Sequence, residues 1–195
     1  TKPSDPSELR ARVAIGARII DLETRLRTAR DTDELTGLRN RNATSSAAHI
    51  ELAHARRTRR ELSVVLLDID HFKQINDRYG HQTGDMALQL IAQTLTTAVR
   101  SHDIVGRWGG EEFFLMLPEP NLAQAALVAE HIRARIAATA LTIADGSTLQ
   151  LTASLGVAST AHAVNYKLEA LLHRADIALY QAKASGRNCV RFDDS

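Results

Sequence analysis

The chain has 195 residues, with 24 Lys and Arg against 23 Asp and Glu and 44% hydrophobic residues. That is enough apolar content for one packed domain with an extension, and the near-neutral charge excludes a global pull toward nucleic acid or a membrane surface, so an anionic ligand must be held locally. The single cysteine, Cys189, excludes an internal disulfide framework, and with no apolar run long enough to span a bilayer and no secretory pattern the chain reads as a cytoplasmic domain, whose longer parent can still be membrane-tethered.

After Pro3 and Pro6, the stretch 7–30 lacks proline and predicts one helix with Ser7 as its N-cap. Within it Ile15, Ile19, Leu22, Leu26 and Ala29 are spaced four, three, four and three, a heptad seam of about two repeats. Such a helix lies on its own domain or forms a parallel coiled-coil stalk; Arg18, Asp21, Glu23, Arg25 and Arg27 on its other faces favour the stalk. The expected organisation is a signalling and dimerisation helix over 1–31 and a catalytic domain over 32–195. A polar turn containing Gly37 leads to a helix over 42–60. Its closing run, Arg56-Arg57-Thr58-Arg59-Arg60, has no interleaved aromatics and reads as a solvated helix end, not a nucleic-acid surface. Positions 62–70 are apolar in succession, as in a central strand covered on both faces. A helix over 84–99, a hairpin over 104–117 folded at Gly109-Gly110, a helix over 121–139, a strand over 149–157, a helix over 168–184 and a short strand over 189–192 complete the reading. The fold class is α+β, one sheet containing an antiparallel hairpin with helices packed on it.

Asp68-Ile69-Asp70 ends one apolar run, and Gly109-Gly110-Glu111-Glu112-Phe113 opens another. A strand end that delivers a carboxylate, opposite a glycine hairpin that delivers two more, suits a divalent cation held against a phosphate chain, because Mg²⁺ takes a few carboxylates and completes its shell with phosphate oxygens and water. Taken singly, an Asp-x-Asp or Glu-Glu pair reads as a solvated strand end. Converging carboxylates, by contrast, are costly without a cation between them. Gly109 and Gly110 leave room for a ligand to approach and permit positive φ, while Trp108 reads as packed beside the turn rather than as a base-stacking platform. His71-Phe72-Lys73 passes from strand into helix start, where free N–H groups cradle phosphates. Lys183 and Arg187 lie four apart at a helix end stopped by Gly186; the pair suits a triphosphate tail, and in isolation would equally offset the helix dipole. Asn76 and Asp85 offer an amide and a carboxylate suited to the edge of guanine, although Asp85 after Gly84 serves as well for a helix N-cap. The eight histidines show no metal-binding spacing.

Five ordered motifs together resemble the GGDEF family of diguanylate cyclases, over about residues 33–192. They are Asp33-Glu34-Leu35-Thr36-Gly37-Leu38-Arg39-Asn40-Arg41, the run from Asp68 through Asn76 to Asp77, Gly80-His81 with Gly84-Asp85, Gly109-Gly110-Glu111-Glu112-Phe113, and Lys183-Ala184-Ser185-Gly186-Arg187-Asn188. The resemblance implies a palm-like, nucleotidyl cyclase-like α+β fold and the joining of two GTP molecules into the bacterial second messenger cyclic di-GMP, with release of pyrophosphate. It implies Asp68, Glu111 and Glu112 as catalytic carboxylates which, with the carbonyl of Ile69, hold two Mg²⁺ or Mn²⁺ ions per active site. Asn76 and Asp85 match the guanine pair. Amides of His71 and Phe72, with Lys73, Lys183 and Arg187, match the phosphate cradle beside Gly109 and Gly110. Because each family domain binds one GTP, the resemblance implies a homodimer, driven by an upstream sensor domain. Glu111 stands where the family name has Asp, which keeps the carboxylate. Arg100-Ser101-His102-Asp103 matches the family's product-inhibition site for cyclic di-GMP; the place of a second arginine there falls on His131, with Arg133 nearby.

Overall fold

In a computed structural model, the residues described are 9–10, 12–16, 18, 31–143, 145–160 and 167–193. Helix α1 (Arg41–Thr58) starts where the Asn40 side chain accepts from the N–H of Ala43, 3.0 Å away, as an N-cap does. It leads to strand β1 (Leu62–Ile69), then to helices α2 (Phe72–Tyr79) and α3 (His81–Ala98). The hairpin β2 (Ile104–Arg107) and β3 (Glu112–Pro118) follows. Next come helix α4 (Leu122–Ala138), opened by a capping box between Asn121 and Gln124, strands β4 (Ala140–Thr142), β5 (Thr148–Gln150) and β6 (Ala153–Ser159), helix α5 (Leu168–Ala184) and strand β7 (Val190–Phe192).

The main sheet has the order β2-β3-β1-β6-β7. β1 pairs antiparallel with β3 and β6, and β7 runs parallel to β6. Every residue of β1 is buried, as its unbroken apolar run predicts for a strand covered on both faces. Alternation then sorts its side chains. Val65, Leu67 and Ile69 join Phe113, Leu115, Leu155 and Ile132 under α2, α3 and α4; Val64 and Leu66 join Phe114, Met116, Leu52 and Leu171 under α1 and α5. Where α5 crosses β6, a Cβ on Gly156 would lie 2.1 Å from the Ala175 carbonyl oxygen and 2.3 Å from the Leu179 nitrogen, so only glycine lets this helix lie against the sheet.

The α+β class and the central place of β1 agree with expectation, and two details differ. The strand expected over 149–157 is two strands: Thr148–Gln150 pairs with Ala140–Thr142 in a separate hairpin, and only Ala153–Ser159 enters the main sheet. Thr152, between them, is committed to Asp70, donating from Oγ1 and accepting the Asp70 N–H. The helix expected from residue 84 begins at His81, directly after Gly80 at φ 84°, so Asp85 lies within α3 and is not its N-cap. Of the heptad seam, only Ile15 is among the described residues, helical and exposed; Ile19, Leu22, Leu26 and Ala29 lie outside them.

Candidate active site at the end of β1

Antiparallel register carries the hairpin to the end of β1. Asp68 is the cross-strand partner of Glu112, and the N–H of Ile69 donates to the Glu111 carbonyl at 3.3 Å. The three predicted carboxylates therefore share one corner of the sheet. Asp68 is not a solvated strand end: one residue before the end of the central strand, it is only 6% exposed. Its Oδ2 lies 2.8 Å from Lys183 Nζ, an ion pair from the last turn of α5. Burial nonetheless pushes the Asp68 carboxyl above its ordinary range, against Lys183 and Arg187 and helped by the charge of Asp70. Glu111 is also pushed up, by burial first and then by repulsion from Asp68 and Glu112, with Lys183 opposing. Carboxylates raised in this way mark a place with too little positive charge, which a bound cation would supply.

Among the described residues, no three His, Cys, Asp or Glu side chains close a metal site by themselves. The donor set still fits Mg²⁺, which is held by one or two carboxylates together with substrate phosphates rather than by an all-protein cage. Asp68, the Ile69 carbonyl and Glu111 are the groups that would hold it.

Gly109 and Gly110 are not glycine for the sake of positive φ, since neither is among the positive-φ residues. What counts is space: a Cβ on Gly109 would come within 2.7 Å of Glu112 Oε2, while one on Gly110 would meet nothing within 4 Å. The hairpin is braced by Arg107, which the sequence reading passed over. Its Nε and Nη2 donate to the Gly110 carbonyl at 3.2 and 2.7 Å, and its Nη1 reaches both carboxylate oxygens of Asp33 at 3.1 Å. Burial disfavours the charge on Asp33, but hydrogen bonds from Thr36 and Arg107 outweigh it and hold that carboxyl below the usual range. Asp33 lies in a motif matched from sequence without a role; Arg107 carried no signal of its own. Trp108 packs as expected, stacked on Phe114 with centroids 5.2 Å apart and with the Arg41 guanidinium over its ring at 5.0 Å.

Asn76, on α2, and Asp85, on α3, come together through a missing side chain. A Cβ on Gly84 would fall 2.0 Å from Asn76 Oδ1, so the Asn76 amide rests on the backbone directly before Asp85. His71 adopts a left-handed conformation, φ 58°, and no side-chain hydrogen bond caps α2, which leaves its leading N–H groups available at the strand end. Lys73 is exposed on the first turn of that helix. Arg187 is exposed in the turn after α5, near enough to favour the charge on Asp68. Asp70, read from sequence as part of the metal-binding run, is fully engaged instead. It accepts from Ser154 Oγ at 2.6 Å, Thr152 Oγ1 at 2.8 Å and the Asn188 N–H at 2.9 Å.

The Arg100–Asp103 turn sits at the opposite end of the hairpin strands, beside the start of β2. The Arg100 N–H donates to Asp103 Oδ2 at 2.8 Å, and the Asp103 N–H to the Arg100 carbonyl at 3.1 Å. This turn separates two clefts, one lined by Asp31, Leu38 and Arg39, the other by Pro120 and by Gln124 and Val128 of α4. His131 is exposed a turn further along α4 and lines neither cleft. Arg133 is turned toward Glu130 and Asn188.

A model of the diguanylate cyclase GGDEF domain matches residues 30–189. The response regulator PleD of Caulobacter vibrioides is 41% identical over 198 aligned residues, covering 97% of this chain and 43% of that protein. The diguanylate cyclase DosC of Escherichia coli K12 is 43% identical over 158, covering 81% of this chain and 34% of that protein. The chain thus spans less than half the length of either relative. Among solved structures, the coiled coil and GGDEF domain of DgcB from Caulobacter crescentus, in complex with c-di-GMP, superposes with a TM-score of 0.89 at 29% identity, covering 96% of this chain and 98% of that one. The family model spans most of the chain and the fold superposes on a solved GGDEF domain, so the chain belongs to the GGDEF family of diguanylate cyclase domains.

Proposed function

We propose that this chain is an active diguanylate cyclase that joins two GTP molecules into cyclic di-GMP with release of pyrophosphate, working as a homodimer. The observation that carries the reading is the corner where Asp68, Glu111 and Glu112 meet under the single ion pair to Lys183. Crowded carboxylates beside an uncapped helix start and an exposed arginine form a place for a triphosphate and the divalent cations that accompany it. Asn76 and Asp85 hold the guanine edge; adenine presents a mismatched pattern there, at a cost of about 1–3 kcal/mol for the unpaired groups. The N–H groups of His71 and Phe72, with Lys73 and Arg187, hold the phosphates, and Gly109 and Gly110 let them lie close to the hairpin. Asp68, the Ile69 carbonyl and Glu111 would hold the divalent cations, which when bound would supply charge neutralisation for the pyrophosphate and a lowered pKa for the attacking 3′-hydroxyl. Glu112, across from Asp68, adds to the negative field that draws the metal. Lys183, paired with Asp68 at 2.8 Å, would lend its charge to the phosphates as well.

One such corner binds one GTP, so the second must come from a second copy, which is the use of the predicted stalk. The likeness to a relative solved as a coiled coil with its GGDEF domain supports that arrangement. Arg100 and Asp103 form a compact turn beside two clefts, where we place feedback inhibition by cyclic di-GMP; the complexes of relatives with that nucleotide support this reading. An upstream sensor would act through the helix over 1–31. The test is chromatographic product analysis of the purified chain with GTP and Mg²⁺ over a range of protein concentrations. Cyclic di-GMP with a specific yield that rises with concentration supports both chemistry and dimer. GTP binding without product at any concentration overturns the proposal in favour of a nucleotide-binding module.

A further inference from the structure

Arg187, which the reading above sets on the triphosphate, stands on an unusual backbone. Gly186, Arg187 and Asn188 follow one another at φ 105°, 65° and 45°. For a residue with a Cβ the left-handed region costs about 1–2 kcal/mol, and it persists where the surroundings over-determine it. Here three hydrogen bonds do so. The Arg187 N–H donates to the Ala182 carbonyl at 3.1 Å, the Asn188 N–H to Asp70 Oδ2 at 2.9 Å, and the Asn188 side-chain oxygen accepts from Arg133 Nη1 at 2.7 Å. The first belongs to the end of α5 and the second to the strut at the end of β1. The third comes from α4, 55 residues away in the chain, and nothing in the cyclase chemistry accounts for it.

Arg133 is itself aimed. Glu130, one turn earlier on α4, accepts from its Nε at 3.0 and 2.9 Å and from its Nη2 at 2.7 Å, which fixes the guanidinium plane and leaves Nη1 for Asn188. The side chain is 19% exposed. With a carboxylate against it, Arg133 adds little net charge to the site, so its influence is geometric.

We propose that Arg133, oriented by Glu130, is a positioning residue for triphosphate binding: by clamping Asn188 it holds the left-handed turn that presents Arg187 to the phosphates beyond the α-phosphate. The inference rests on the GTP reading above. It separates from a purely structural tie between α4 and the loop because it predicts a selective loss. A loosened Arg187 weakens contact with β- and γ-phosphates and leaves the guanine and α-phosphate contacts alone.

The experiment is calorimetric binding of GMP and of 3′-deoxy-GTP, which lacks the attacking hydroxyl, to the full chain and to Arg133→Met, which keeps the apolar stem. Arg133→Met is expected to weaken 3′-deoxy-GTP about three- to tenfold, part of one charge-assisted hydrogen bond, while GMP binding is unchanged. With GTP as substrate the loss falls on KM rather than kcat, and Arg133→Lys recovers part of it. In an Arg187→Ala background Arg133→Met should have no further effect, since both act through one contact. Glu130→Gln, a milder change that leaves the helix surface intact, should move in the same direction by less and serves if Arg133→Met does not fold. Equal weakening of GMP and 3′-deoxy-GTP, or full additivity with Arg187→Ala, overturns the positioning role. A wild-type chain that binds neither nucleotide overturns the function itself, and this inference with it.

Discussion

The two sides of the β1 end handle a buried carboxylate in opposite ways. On the α5–β7 side, Asp70 is 4% exposed and accepts three hydrogen bonds from Ser154, Thr152 and the Asn188 backbone. On the hairpin side, Asp68 is 6% exposed, has one ion pair to a lysine, and faces Glu111 and Glu112. Similar burial, two residues apart, yields a strut in one case and a charged socket in the other. A carboxylate that already accepts three hydrogen bonds, from two hydroxyls and an amide, has its charge largely answered and little acceptor capacity left for a cation, whereas one crowded by like charge gains by binding one.

The contrast can be broken by substitution. The largest effect on activity is expected from Asp68→Asn or Glu111→Gln, a fall in product formation of about a thousandfold, since each removes a carboxylate proposed to hold the metal, whose stabilisation would be several kcal/mol. The fold should survive, as far-UV circular dichroism would report. Asp70→Ala should show the reverse emphasis. Losing three hydrogen bonds inside the protein is expected to lower stability by about 2–4 kcal/mol, read from urea denaturation, with activity falling only as the loop bearing Arg187 loosens. If Asp70→Ala left stability unchanged while abolishing turnover, the strut and the socket would have to be exchanged.

Smaller changes sharpen the same comparison at the edges of the socket. Gly84→Ala forces the Asn76 amide aside and should reduce the preference for GTP over ATP by about 1–2 kcal/mol in competition binding, with little change in phosphate contacts. Asp33→Asn removes the charge that Arg107 uses to brace Gly110 and should lower kcat about tenfold. The smallest effect lies in stability against pH. Asp68 and Glu111 have raised carboxyl pKa values in the folded chain, so the folded state holds protons that the unfolded state has released. Their contribution is present below their ordinary values, 3.8 and 4.5, and is lost as pH rises through the folded values. In metal-free protein, Glu111→Gln should therefore raise the melting temperature slightly at neutral pH, and the gain should vanish below about pH 4. A lowered melting temperature at neutral pH would show that Glu111 stabilises the fold rather than straining it.

Much of this was legible in the residues. The β-rich stretch read over 62–70, with consecutive apolar positions at Val64–Leu67, is a central strand because only a strand covered twice buries neighbouring positions alike. The Gly109-Gly110 punctuation between two apolar runs is a hairpin, and the helix read over 121–139 is α4. The short hairpin of Ala140–Thr142 with Thr148–Gln150 was not legible, since three-residue strands carry too little periodicity. Nor was the separation of Asp68 from Asp70, because hydrogen-bond partners 82 and 84 residues away leave no mark in local spacing.

The sequence by itself determined the class of fold, the family, and the identity of the groups at the end of β1, because these follow from local pattern and from chemistry that only certain side chains possess. The tertiary structure alone decided how those groups are used: that Lys183 answers Asp68, that Arg107 ties Asp33 to the hairpin, that Gly84 seats Asn76, and that Arg133 reaches across to Asn188. Each of these joins residues distant in the chain through contacts of a few ångströms, and such contacts exist only once the sheet has set its register and the helices have closed on it.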